Sequence, residues 1–182
     1  MIQNAELEVI TSLAKTILVA ARTAPKGKGV DDIVTYLLHD DERIQLADKM
    51  DELGGIKKMN FLKRDANNVR DADCLVLIGL KSSGATSLNC GACGFETCKD
   101  MLEQKKVKVE FTGPHCMIKY VDLGIAVGSA VSKAKDLCMD NRVLYSAGAA
   151  ACYFDMIDAD VAMAVPLSVK GKNIFFDRPL TK

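Results

Sequence analysis

Between residues 88 and 101 the chain reads LNCGACGFETCKDM, three cysteines in nine positions set among glycines and other small residues. The stretch has neither the 3.6-residue period of an amphipathic helix nor the alternation of a half-buried strand. It cannot supply a core, so the fold must be built from the residues on either side. A further cysteine, Cys116, completes the spacing Cys90-x2-Cys93-x4-Cys98-x17-Cys116. We read residues 82–117 as a cysteine-rich segment inserted into a single domain spanning 1–182.

The flanking sequence mixes helical and extended patterns. Val9, Ile10, Leu13, Ala14, Ile17, Leu18 and Ala21 recur at three-and-four spacing, which predicts a helix over 5–21 that ends before Pro25. DIVTYLL (32–38) is β-branched and aromatic and predicts a strand. DDERIQLADKMDELGG then turns helical and closes on Gly54-Gly55, a helix-stop signal. A polar helical stretch follows around 60–71, and CLVLIGL (74–80) is a continuous apolar run of the kind a buried strand shows. After the cysteine segment, VDLGIAVGSAVSKAKDLCMD (121–140) predicts a core helix whose glycines and alanines allow close packing. RVLYSA reads as a strand or strand-like turn, GAAACYFDMI as a short helix and 160–169 as a final strand. The class is α+β.

With 49% hydrophobic residues in 182, the chain can bury a substantial core. Lys+Arg and Asp+Glu both number 24, and no basic run interleaves with aromatics, which argues against nucleic acid and anionic membranes as partners. The first residues lack a basic, then apolar, leader, and no apolar run reaches the roughly 18 residues of a membrane span. A cytoplasmic setting is expected. Seven cysteines, four of them clustered, do not form an evenly spread disulfide framework. Cys74, Cys138 and Cys152 lie in apolar segments and read as small buried hydrophobes.

Four thiolates saturate either a tetrahedral zinc or the iron corners of a cubane cluster. Structural zinc sites tend to use two separate close pairs, whereas three ligands in one short loop with a distant fourth follow the manner of cluster loops. Gly91 and Gly94 each follow a cysteine, where a missing side chain lets backbone N–H groups turn toward sulfur. Cys98 is expected in the first turn of a helix over ETCKDMLEQKK, and Pro114 stiffens the approach to Cys116. His115, beside that cysteine, reads as a solvated or supporting side chain. With only His39 and His115 present, no Ser-His-Asp or Cys-His set is evident, and no catalytic residue is named.

NCGACGFETC with its single later cysteine resembles the 4Fe-4S domain of Rnf-type electron-transport complexes and of acetyl-CoA decarbonylase/synthase corrinoid proteins. That resemblance implies one 4Fe-4S cluster on Cys90, Cys93, Cys98 and Cys116. Through DNRVLYSAGAAA and GKNIFFDRP the whole chain resembles an uncharacterised prokaryotic family of ferredoxin-domain-containing proteins. The element order outside the insert, with its ARTAP turn, is similar to the flavin-dependent nitroreductases, α+β helix/sheet sandwiches that form homodimers and bind FMN at the subunit interface. This second likeness implies that Arg22, Lys26, Lys172 and Arg178 grip an FMN phosphate. The expectation is an iron-sulfur redox protein, and a flavin-dependent oxidoreductase if FMN is held. Its counterpart is a redox partner protein or a small-molecule electron acceptor. A non-enzymatic electron carrier or iron-sulfur scaffold, and a zinc-stapled interaction protein, are the alternatives.

Overall fold

The computed structural model describes residues 2–81 and 84–176. A 3₁₀ stretch at Ala5–Val9 leads into helix α1 (Ile10–Thr23), followed by strand β1 (Ile33–Leu38), helices α2 (Asp40–Lys57) and α3 (Asn60–Asp71), and strand β2 (Cys74–Leu80). The cysteine segment contributes a short helix α4 (Cys98–Leu102) and a hairpin of β3 (Val107–Lys108) and β4 (Thr112–Gly113). The chain closes with α5 (Met117–Asp136), β5 (Asp140–Asn141), α6 (Tyr145–Tyr153) and β6 (Val161–Ser168).

The main sheet has the order β1-β2-β6-β5 and is antiparallel throughout. Val76 pairs with Leu37 on one side and Val165 on the other. All seven residues of β2 are buried. Their alternation explains why the run is apolar without interruption. Cys74, Val76, Ile78 and Leu80 face a layer of α1 and α5, while Leu75 and Leu77 face a layer of α2, α3 and α6. A central strand covered on both faces has no position left for a polar residue.

On the first face, Ile10, Ala14, Ile17 and Ala21 of α1 are buried together with Ala126, Ala130 and Ala134 of α5. Alanines therefore bring these helices together. Gly124 and Gly128, expected to do so, are exposed, and a Cβ added at either would meet nothing within 4 Å. On the second face the close approach is at Gly148 of α6. A Cβ there would stand 1.9 Å from the Ala162 carbonyl oxygen of β6, so only glycine fits.

Several boundaries differ from expectation for local reasons. Helix α2 continues through Gly54-Gly55 to Lys57 and is closed by Lys58, at φ 55, whose N–H donates to the Gly54 and Gly55 carbonyls. Gly54 serves packing instead: its missing Cβ would touch Leu62 Cβ at 3.2 Å. Helix α5 starts at Met117 and ends at Asp136 rather than spanning 121–140. Cys138, past its end in a left-handed conformation at φ 57, is exposed and not the buried hydrophobe expected. Among the described residues no helix is long and apolar enough to cross a membrane.

Candidate metal centre

Cys116 occupies the N-cap position of the 20-residue α5 and is 3% exposed. Burial alone would raise its thiol pKa. The N–H and hydroxyl of Thr86 and the N–H groups of Ile118 and Lys119 outweigh that and hold it below the ordinary thiol value. The Thr86 hydroxyl lies 3.5 Å from the sulfur. A buried thiol held below its ordinary pKa at the positive end of a long helix has the character of a metal ligand.

Cys98 is half-buried and starts α4, which is only five residues long, shorter than the helix expected over 96–106. Thr97 caps it, its hydroxyl accepting from Asp100 N–H. The direct support for Cys98 comes from Asn89: its N–H donates to Cys98 Sγ at 3.4 Å, and its side-chain oxygen accepts from Cys98 N–H at 2.9 Å. Thr86 touches Cys116 and Asn89 touches Cys98, so at most about 11 Å of chain separates the two contacts. The loop from Asn89 to Cys98 carries Cys90, exposed, and Cys93, half-buried. Its path uses left-handed φ at Asn89 (48°), Gly91 (71°) and Gly94 (87°). Among the described residues no three Cys, His, Asp or Glu side chains converge tightly enough to hold one ion. The donor chemistry and the backbone fit a thiolate cluster. Ligation would draw the loop sulfurs in toward Cys116.

The hydrogen bonding of the sheet extends into this segment. Asp160, at the start of β6, donates its N–H to Leu80 O and accepts from Thr112 N–H. Its carboxylate lies 3.4 Å from His115 Nε2. His115 is buried rather than solvated. Burial and the ammonium of Lys106 lower its pKa, and its ring stands edge-on to Tyr120. Glu110 receives the Tyr145 hydroxyl and faces Lys57, which ties the same segment to α6 and α2.

The remaining thiols divide by environment. Burial pushes Cys74 and Cys152 up to about 12. In chelator-treated protein at mildly alkaline pH, alkylation is expected at Cys90 and Cys138, with Cys74 and Cys152 unmodified until denaturant is added. Peptide mass spectrometry reads the distribution, and labelling of either buried thiol in the folded chain would contradict this assignment.

The basic residues are arranged differently from the implied phosphate grip. Arg22 Nη1 donates to Asp31 Oδ2 at 2.7 Å and to the Ile33 carbonyl, and Lys26 Nζ lies 3.7 Å from Asp31 Oδ1. Asp31 thus engages both cations within the chain. Lys172 is exposed and follows Lys170, which bonds Asp71 O beside the opposite end of β2. Arg178 lies outside the described residues. Within one chain Arg22 and Lys26 are therefore separated from Lys172 by the length of the sheet.

This architecture is shared with solved flavin enzymes. Nitroreductase A from Vibrio parahaemolyticus superposes with TM-score 0.57 at 15% identity, over 89% of this chain and 59% of that one. A putative nitroreductase from Desulfovibrio desulfuricans, in complex with FMN, gives 0.56 at 17% over 93% and 80%. NADPH:FMN oxidoreductase from Vibrio harveyi gives 0.55 at 12% over 93% and 64%. The chain thus spans about three fifths of the first of these proteins. These likenesses define the class: an α+β protein with the nitroreductase fold. Residues 112–178 match a family described as "Uncharacterized protein containing a ferredoxin domain". An uncharacterized protein of Archaeoglobus fulgidus is 43% identical over 159 residues, 87% of this chain and 86% of the relative. The chain belongs to that family of ferredoxin-domain proteins, and membership together with the fold supports a redox role.

The α5 N-terminus also holds polar residues not singled out in the sequence. Lys119 and Asp122 are both buried there, Lys119 Nζ lying 2.9 Å from Asp32 Oδ2 and 3.9 Å from Asp122 Oδ2. A Lys-x2-Asp pair in the otherwise uncharged first half of the helix was the available signal. Thr86 and Asn89 left no signal of that kind.

Proposed function

We propose that this protein is an iron-sulfur electron-transfer protein in which Cys90, Cys93, Cys98 and Cys116 hold one 4Fe-4S cluster. The observation that carries the reading is the buried Cys116 sulfur, which lies 3.5 Å from the Thr86 hydroxyl at the N-terminus of α5. A bound cluster supplies reversible one-electron chemistry. The chain's own residues do the rest. Asn89 orients Cys98, the left-handed turns at Gly91 and Gly94 shape the loop that carries Cys93, and burial of Cys116 excludes water from one side.

An electron carrier without resident flavin agrees best with the engagement of Arg22 and Lys26 by Asp31. The nitroreductase fold is the observation that favours a second reading, a flavin-dependent oxidoreductase. There the FMN site would be completed between two copies of the chain. In both readings the electron is exchanged with a redox partner protein or a small-molecule acceptor.

The test is anaerobic purification followed by iron, sulfide, zinc and acid-released flavin assays on one sample. About four iron and four sulfide per chain are expected, with no flavin. Stoichiometric flavin beside the iron would establish the second reading. One zinc in a colourless protein would overturn both.

A further inference from the structure

Thr86 is 5% exposed and is the only buried one of the described residues from Gly84 to Asp100. The one side chain that this stretch buries is therefore polar. Valine would fill the same volume without the cost of desolvating a hydroxyl, so the hydroxyl needs a partner where it ends. That partner is Cys116 Sγ, 3.5 Å away, in a residue only 3% exposed. The methyl branch lies beside Gly27, where an added Cβ would stand 3.3 Å from Thr86 Cγ2. Gly27 is itself fastened to α5, its N–H donating to Asp122 Oδ1 at 2.8 Å. With the methyl seated on this anchored backbone and χ1 restricted by β-branching, the hydroxyl is held on the sulfur. The chain then turns through left-handed φ at Ser87 (53°) and Asn89 (48°), conformations that non-glycine residues adopt at a cost. Past these turns Asn89 N–H meets Cys98 Sγ at 3.4 Å, so the stretch Thr86–Asn89 touches two of the candidate ligand sulfurs.

Between a thiol and a hydroxyl either group can donate, but a metal-bound sulfur carries no proton and can only accept. With Cys116 ligated, the Thr86 hydroxyl must be the donor. A hydrogen bond donated to a ligand sulfur favours the more electron-rich, reduced state and so raises the reduction potential. We propose that Thr86 is a positioning residue for the metal centre, its hydroxyl fixing the Cys116 sulfur and raising the potential through one O–H···S bond while its methyl sets the direction of that bond. The inference rests on the reading that Cys116 is a cluster ligand.

The experiment is a redox titration of the anaerobically purified full chain with dithionite and mediators, followed optically and accompanied by iron analysis, for wild type, Thr86→Val, Thr86→Ser and Thr86→Ala. Wild type and Thr86→Val differ by the hydroxyl with the branched shape kept. Thr86→Ser and Thr86→Ala differ by the hydroxyl with the methyl absent from both. In each pair the protein without the hydroxyl is expected to have the lower midpoint, by the equivalent of about tenfold in the oxidised-to-reduced ratio, or 59 mV for one electron. Thr86→Ser should lie closer to wild type than Thr86→Val does. A role in packing alone predicts midpoints that follow side-chain volume, with Thr86→Val matching wild type and Thr86→Ser grouping with Thr86→Ala. That pattern, at full iron content, overturns the role of the hydroxyl and leaves the cluster assignment intact. If Thr86→Val holds no iron, the serine and alanine variants decide by the same criterion. A wild type without iron removes the cluster reading itself.

Discussion

Replacing Cys116 with serine is expected to lower bound iron from about four per chain to less than one and to remove the visible absorption of the anaerobic protein. A serine hydroxyl ionises far above the range of a thiol, whereas Thr86 and the α5 amides hold the Cys116 thiol below its ordinary value. The substitution separates ligation from folding. Position 116 is the N-cap of α5, and serine is among the preferred N-cap residues. The metal-free variant should therefore unfold within about 1 kcal/mol of the metal-free parent. Thermal unfolding of chelator-treated samples checks the second part, and iron analysis the first. A Cys116→Ser protein that keeps its full iron would remove Cys116 from the ligand set.

Gly148→Ala is expected to cause a large loss of stability. The added methyl would stand 1.9 Å from Ala162 O and 2.5 Å from its carbonyl carbon. Both belong to the backbone of β6, which is pinned by β2 on its other side, so the strand cannot give way. Helix α6 must move out, and Ala147, Ala150, Ala151 and Cys152 then lose packing on the sheet. The expected cost is about 3 kcal/mol or more, equivalent to a lowering of Tm by roughly 6–12 °C for a chain of this size. Chemical denaturation of the metal-free protein measures it. The midpoint should shift while the slope stays constant. A stability within about 0.5 kcal/mol of the parent would contradict the tight contact described at Gly148.

The elements whose environment repeats along the chain were legible in the sequence. The run CLVLIGL marked a strand covered on both faces, and the spacing of the apolar residues marked α1. The pairing direction was not legible, because β2 lies between β1 and β6, its partners from opposite sides in sequence, and burial alone does not distinguish parallel from antiparallel neighbours. Gly54-Gly55 carried a stop signal that packing overrode, since Gly54 serves the contact with Leu62. At the candidate site the four cysteines stood out through their spacing. Their supports did not: Thr86 lies 30 residues from Cys116, and Lys119 is bonded to a carbonyl 89 residues away. Asp122 gave no local sign of its burial, because its hydrogen-bond donor, Gly27, arrives from 95 residues earlier in the chain. Long-range partners of this kind leave no local pattern.

The position of β2 has a kinetic consequence. One neighbour precedes it, but the other, β6, follows only after the cysteine segment and α5 have been synthesised. Closing a sheet across so long an excursion is a late, slow event. Thr112 and His115 find Asp160 only when that closure is complete, since Asp160 is itself fastened to Leu80. The cradle around Cys116 is thus a product of the finished sheet. Small zinc modules are folded by their metal. Here the frame that carries Cys116 forms from the chain's own contacts, and only the loop from Cys90 to Cys98 would be left for ligation to draw in.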